Sequence, residues 1–224
     1  MPVAIDDVKQ AFVKAVEDYG CKGEGAIYQT DLKPLTVLAA VGLLPLIDRP
    51  AAAPKPVLYV NAMRHNADRR WVLTKVKRAV KIGDFECLVD LNLQEPGPQN
   101  GNPFKVLLTA ESEGYAGHAK GLAQAKVGDN DLLWDLYKLL IVPSPLRLFV
   151  CLSADKYSAI VKRRLEKLAK EYAGQVLRSG DGPAYLWVLV LPTGSLASHQ
   201  ASLFGLKFQG GRSESCGRLS FALG

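Results

Sequence analysis

The chain has 224 residues, 48% of them hydrophobic, with a formal net charge of +6; the length suits one domain, or a core with a small appendage, and the hydrophobic fraction excludes a disordered chain. The opening MPVAIDDVKQAF has no basic segment leading into an apolar one, and the longest greasy run, Val37 to Ile47, is interrupted by Gly42 and Pro45, so the expectation is a soluble cytoplasmic protein with neither a cleaved signal nor a membrane span. Cys21, Cys87, Cys151 and Cys216 are scattered without C-x-x-C spacing, which points to buried reduced thiols rather than a zinc knuckle or a disulfide framework.

Val8, Phe12, Ala15, Val16 and Tyr19 recur at helical spacing over Ile5 to Tyr19, and Asp31 to Leu44 reads as a second helix. The three prolines of RPAAAPKP, Arg49 to Pro56, make a linker. The expected organisation is therefore a helical N-terminal element (1–50), an α/β core (57–195) and a C-terminal extension (196–224) carrying a hairpin. VLYVNAM opens the core as a strand, and the stretch after Asn66 is ambiguous between helix and strand. That stretch is strongly basic: Arg64, Arg69, Arg70, Lys75, Lys77, Arg78 and Lys81 stand against Asp68 alone, seven cations to one carboxylate. Such a cluster favours a polyanion, nucleic acid above all, because phosphate contacts release counterions.

DFECLVDLNL, residues 84–93, alternates an apolar parity with an acidic one, the pattern of a half-buried strand. After the loop EPGPQNGNP the chain returns as FKVLLTAESE, so a β-hairpin turning at Asn100-Gly101 is the economical reading. Asp131 to Leu140 is a helix with a stripe of Leu132, Leu133, Leu136, Leu139 and Leu140. LRLFVCLS and AYLWVLVL are continuous apolar runs, strands covered on both faces. Between them, Asp155 to Tyr172 is an amphipathic helix whose Lys156, Lys162, Arg163, Arg164, Lys167 and Lys170 are diluted by Asp155 and Glu166. A solvated face explains that second cluster as well as a polyanion site does. Trp71, Trp134 and Trp187 are assigned to the core, with Trp71 the one candidate for base stacking. This order of elements predicts an α/β fold, a mixed central sheet flanked by helices.

The residues demanding explanation are Glu111 and Glu113. A turn at Asn100-Gly101 places Asp90 opposite Glu111 and Leu88 opposite Glu113, so that Asp90, Glu111 and Glu113 share one face of two strands. Clustered carboxylates resist ionising unless a cation compensates, and Mg²⁺ accepts carboxylate oxygens while keeping waters and bridging to phosphate. The alternative is the solvated end of an edge strand, where charge blocks aggregation. Lys138 lies three residues beyond Asp135, off the leucine stripe, and an exposed Asp135–Lys138 pair is the simpler reading of it. GYAGHAKG lacks the ending of a P-loop and reads as a connection carrying Lys120 toward phosphate. His65, His118 and His199 have no matching partners in sequence.

The layout LVDLNL, FKVLLTAESE, DLLWDLYKLL, LRLFVCLS resembles the restriction-endonuclease-like PD-(D/E)XK nuclease superfamily over residues 84 to 152. That superfamily places an acidic residue on one hairpin strand and an acidic-x-Lys triplet on the next, followed by a helix and a buried strand. The resemblance implies Asp90 and Glu111 as ligands of Mg²⁺ (or Mn²⁺), and Glu113 in the place usually held by lysine, with Lys138 as the substitute. It also implies double-stranded DNA as partner, with a homodimer for cleavage of both strands; the basic residues Arg64, Arg69, Arg70, Lys75, Lys77, Arg78 and Lys120, read from their charge, are the expected phosphate contacts. The expected function is a metal-dependent endonuclease; the alternative is a non-catalytic nucleic-acid-binding or assembly protein on the same scaffold.

Overall fold

The computed structural model describes residues 3–20, 27–50, 52–61, 67–83, 87–96, 105–115, 126–178, 182–193 and 200–223. Its centre is one mixed sheet of eight strands: β1 (Val57–Val60), β2 (Lys81–Ile82), β3 (Leu91–Glu95), β4 (Lys105–Tyr115), β5 (Leu146–Ser153), β6 (Ala184–Pro192), β7 (Ala201–Gln209) and β8 (Arg212–Phe221), in the order β2-β1-β3-β4-β5-β6-β7-β8. β1, β3 and β4 form an antiparallel meander, β4, β5 and β6 run parallel, and β7 and β8 return antiparallel. The parallel steps need crossovers, and helices supply them: α4 (Asp131–Ile141) between β4 and β5, and α5 (Asp155–Glu171) between β5 and β6. The expected α/β mixed sheet flanked by helices is therefore the fold.

Helices α1 (Ile5–Tyr19), α2 (Gln29–Leu43) and α3 (Ala67–Val76) cover the other face. α2 buries Leu32, Leu35, Val37, Ala39, Ala40 and Leu43 around most of its circumference because it lies between α1 and strands β4 and β5. That position accounts for the greasy run at Val37, since a helix apolar all round is an interior one. On the opposite side the leucine stripe of α4 is wholly buried, as its spacing predicts, together with Val161, Leu165 and Leu168 of α5. No helix among the described residues is long and apolar enough to cross a membrane. Cys87, Cys151 and Cys216 are free thiols.

Two expectations need correction. The strand expected over 84–93 spans Leu91–Glu95, and residues 84–86 lie outside the described ones. Its early part leaves the sheet because Asn61, just past the end of β1, takes over the backbone pairing: its Nδ2 donates to the carbonyls of Cys87 (2.5 Å) and Val89 (3.0 Å), and its Oδ1 accepts from Cys87 N–H (2.8 Å). Trp71 and Trp134 are each 46% exposed, leaving Trp187 as the buried indole; Trp134 falls off the leucine stripe of α4, and Trp71 is packed by Tyr19 with Lys75 Nζ 4.9 Å from its ring. The basic stretch resolves as helix α3 followed by a turn.

Candidate active site

The expected register holds over Leu91 to Leu93, but Asp90 and Leu88 precede β3, so their expected pairings with Glu111 and Glu113 are not part of the ladder. Asp90 turns to Ser112 and to Lys33 of α2, whereas Glu111 turns to Lys138 of α4. Leu91, Asn92 and Leu93 pair with Ala110, Thr109 and Leu108. A bulge then moves Gln94 opposite Val106, so that Leu107 and Leu108 both reach the same core; the Asn100-Gly101 turn lies outside the described residues. β3 starts at Leu91, so beyond Ala110 strand β4 is paired on its β5 side alone among the described strands, through Tyr115. Glu111, Ser112 and Glu113 sit on this split, Glu111 level with Phe149 in the middle of β5 and Glu113 two residues nearer the carboxyl end of the parallel strands.

Asp90 caps the split. Its Oδ2 accepts hydrogen bonds from Ser112 N (3.1 Å) and Ser112 Oγ (2.8 Å), and its Oδ1 lies 2.5 Å from Lys33 Nζ. Lys33 reaches over from α2 and also donates to Asn61 O at 3.2 Å. On the α4 side, Lys138 Nζ lies 2.9 Å from Glu111 Oε1 and 2.7 Å from Asp135 Oδ1, so it bridges two carboxylates instead of forming the simple surface pair. Gln29, at the start of α2, donates to Glu113 Oε1 at 3.4 Å. Lys33, Gln29 and Asn61 carry no sequence signal of these roles, since each depends on α2 or β1 crossing the hairpin.

The electrostatics are unbalanced. Asp90, Glu111, Glu113 and Asp135 face two ammonium groups, Lys33 and Lys138. Glu111 is 2% exposed, and although Lys138 is close, its approach lacks the direction of a hydrogen bond, so Oε1 has no directed donor. Burial, with the nearby charge of Asp90 second, pushes the Glu111 carboxyl up to about 8 against the pull of Lys138. Burial, with the charge of Asp135 second, raises Glu113 to about 7. Burial works against the Lys138 ammonium, but Asp135 and Glu111 outweigh it and raise its pKa.

No family model, curated protein or solved structure matches this chain. The site therefore rests on its own chemistry. A hard divalent ion fits the donor set in one respect: two carboxylates with water completing the shell is what Mg²⁺ ordinarily accepts, and the buried Oε1 of Glu111 lacks a directed hydrogen bond. Among the described residues, however, no three His, Cys, Asp or Glu side chains are grouped as ready ligands of one ion, so solvent would supply the remaining positions.

Of the other expected residues, Arg70, Lys77 and Arg78 are exposed on α3 and the turn before β2. Lys75 is 2.9 Å from Asp18. β2 is three strand spacings from β4, roughly 14 Å. Arg64, Lys120 and the three histidines lie outside the described residues, as does the side chain of Arg69.

Proposed function

We propose that the protein is a divalent-metal-dependent endonuclease acting on double-stranded DNA, with Asp90 and Glu111 holding Mg²⁺ or Mn²⁺. The observation carrying this reading is the Glu111 carboxyl itself, buried beside Lys138 with an Oε1 that lacks a directed hydrogen bond, a group that a divalent cation could engage by displacing its proton. When bound, such an ion polarises a phosphoryl oxygen and lowers the pKa of an attacking water. Lys138 orients Glu111 and stands on α4 where the acidic-x-Lys motif, broken here by Glu113, lacks its lysine. Its ammonium is placed to stabilise negative charge developing on phosphate. Glu113, at about 7, has the strength suited to taking a proton from water near neutral pH. Ser112 and Lys33 fix Asp90. The hairpin β3-β4 followed by α4 and the parallel buried strand β5 is in keeping with the order that the PD-(D/E)XK resemblance implies.

The test is nicking of supercoiled plasmid in Mg²⁺ or Mn²⁺, with a loss of at least about 100-fold expected in Asp90→Asn, Glu111→Gln and Lys138→Met, in line with the loss of one electrostatic element of a site. Nicking undiminished in the first two variants sinks the assignment. One observation favours the scaffold alternative: both Asp90 oxygens are already engaged, by Lys33 and by Ser112. That reading expects DNA binding that survives chelation and no cleavage in either metal.

A further inference from the structure

Helix α5 and edge strand β8 enclose a groove of about 560 Å³, away from Glu111 and built largely from charge. Lys162, Arg163, Lys167 and Lys170 come from the α5 face opposite its buried Val161, Leu165 and Leu168, and Arg218 comes from β8. Two carboxylates oppose these five cations, leaving a net +3. Glu166 does not so much cancel the groove as brace it: its Oε1 is 2.8 Å from Lys170 Nζ and 2.5 Å from Arg218 Nη2, tying helix to strand. Glu171 holds Arg164 and Lys167 more loosely, at 3.6 Å each. Lys162 and Arg163 form no ion pair among the described residues.

We infer that this groove binds the phosphodiester backbone of duplex DNA. The inference rests on the nucleic-acid reading above but not on cleavage. Three features select a polymeric polyanion. First, the cations run in a row: Lys162 to Lys170 is eight residues of helix, roughly 12 Å, the length of about three successive phosphates on one strand. Second, the row lies on the face of the sheet that carries α4 and Lys138. Third, β8 is four strands from β4, roughly 19 Å, well inside one turn of B-form DNA at roughly 34 Å. The groove and β4 are thus close enough along the sheet to fall within one turn of a single duplex.

The test is fluorescence anisotropy of a labelled duplex with the full chain in EDTA, titrated across salt concentrations. For Lys162→Gln/Arg163→Gln/Lys167→Gln the slope of log K against log salt should shrink by about 3, with binding on the order of 100-fold weaker at 0.1 M salt. Glu171→Gln, which removes a carboxylate from the groove, should bind several-fold tighter, a gain that misfolding cannot mimic. Unchanged affinity and slope in both variants overturn the inference, and so does binding to anionic phosphatidylserine vesicles without binding to DNA. Plasmid nicking separates this result from the nuclease reading. Groove-dependent binding with no cleavage by the wild type supports the groove and sinks the endonuclease; cleavage with groove-independent binding does the reverse.

Discussion

Glu111→Gln should stabilise the protein above neutral pH while abolishing its proposed activity. Glu111 is 2% exposed and its carboxyl is raised from 4.5 to about 8, chiefly by burial. The fold thus keeps the proton that the unfolded chain has released above pH 4.5. Stability is full below about pH 4.5 and falls as pH rises, levelling off above about pH 8. At 1.36 kcal/mol per unit, the loss is about 3 kcal/mol at pH 7 and about 4 kcal/mol at pH 8. Glutamine has the same shape and no charge to desolvate, so its stability advantage should be near zero at pH 4.5 and grow across that window. At 2–4 °C per kcal/mol for a chain of this size, Tm at pH 8 should rise by roughly 10 °C. Thermal melts of both proteins from pH 4.5 to 8.5 check this, and a glutamine variant that melts with or below wild type throughout refutes the account of Glu111. Adding Mg²⁺ at pH 8 should raise the wild-type Tm and leave the variant unmoved.

Three further outcomes concern the scaffold. Arg147 is fully buried, and its guanidinium, pulled down to about 9 by burial, donates to the carbonyls of Leu139, Leu140, Val142, Ser144 and Leu177. Arg147→Met should cost at least about 3 kcal/mol in urea unfolding by stripping the carboxyl end of α4, and a change below 1 kcal/mol would contradict that role. Asn61→Ala should cost about 2 kcal/mol and increase hydrogen exchange at the Cys87 amide, which its side chain now holds. Gly205→Ala would drive a Cβ into the Trp187 indole and to 2.7 Å from Cys216 Sγ, and chemical denaturation should show a loss of about 2 kcal/mol.

What sequence reveals here tracks how local its cause is. The α4 stripe follows from a 3.6 period, β5 and β6 from unbroken apolar runs, and the pairing of Leu91 to Leu93 from parity and turn chemistry. Trp134, assigned to the core from its apolar neighbours, stands off that stripe and is exposed. Lys138 was visible as a lysine near Asp135, but its contact with Glu111 arises only because α4 crosses back over β4. Lys33 and Asn61 were illegible for the same reason: Lys33 meets Asp90 across 57 residues, through packing of α2 on the sheet that no local pattern encodes. The early end of β3 was missed because a single side-chain amide displaces a strand, and period-2 alternation continues through the residues it displaces.

Asp90 has two possible reasons to be acidic, and they can be separated. The β3 ladder ends at the Leu91–Ala110 pair, which would leave Ser112 N–H without a strand partner; Asp90 Oδ2 supplies one at 3.1 Å. An amide oxygen could do this as well, so the hydrogen bond alone does not require charge. The Lys33 pair, with both side chains 18% exposed, is worth about 1 kcal/mol. Asp90→Asn should therefore keep the fold and the Ser112 bond and lose only about 1 kcal/mol in denaturation. If the carboxylate also serves a cation, the same variant should lose the Mg²⁺-dependent rise in Tm completely, because an amide carries no charge to exchange for Lys33. A variant that melts about 1 kcal/mol weaker but still responds to Mg²⁺ would leave Asp90 as the cap of an interrupted strand, and the ligand assignment would fall.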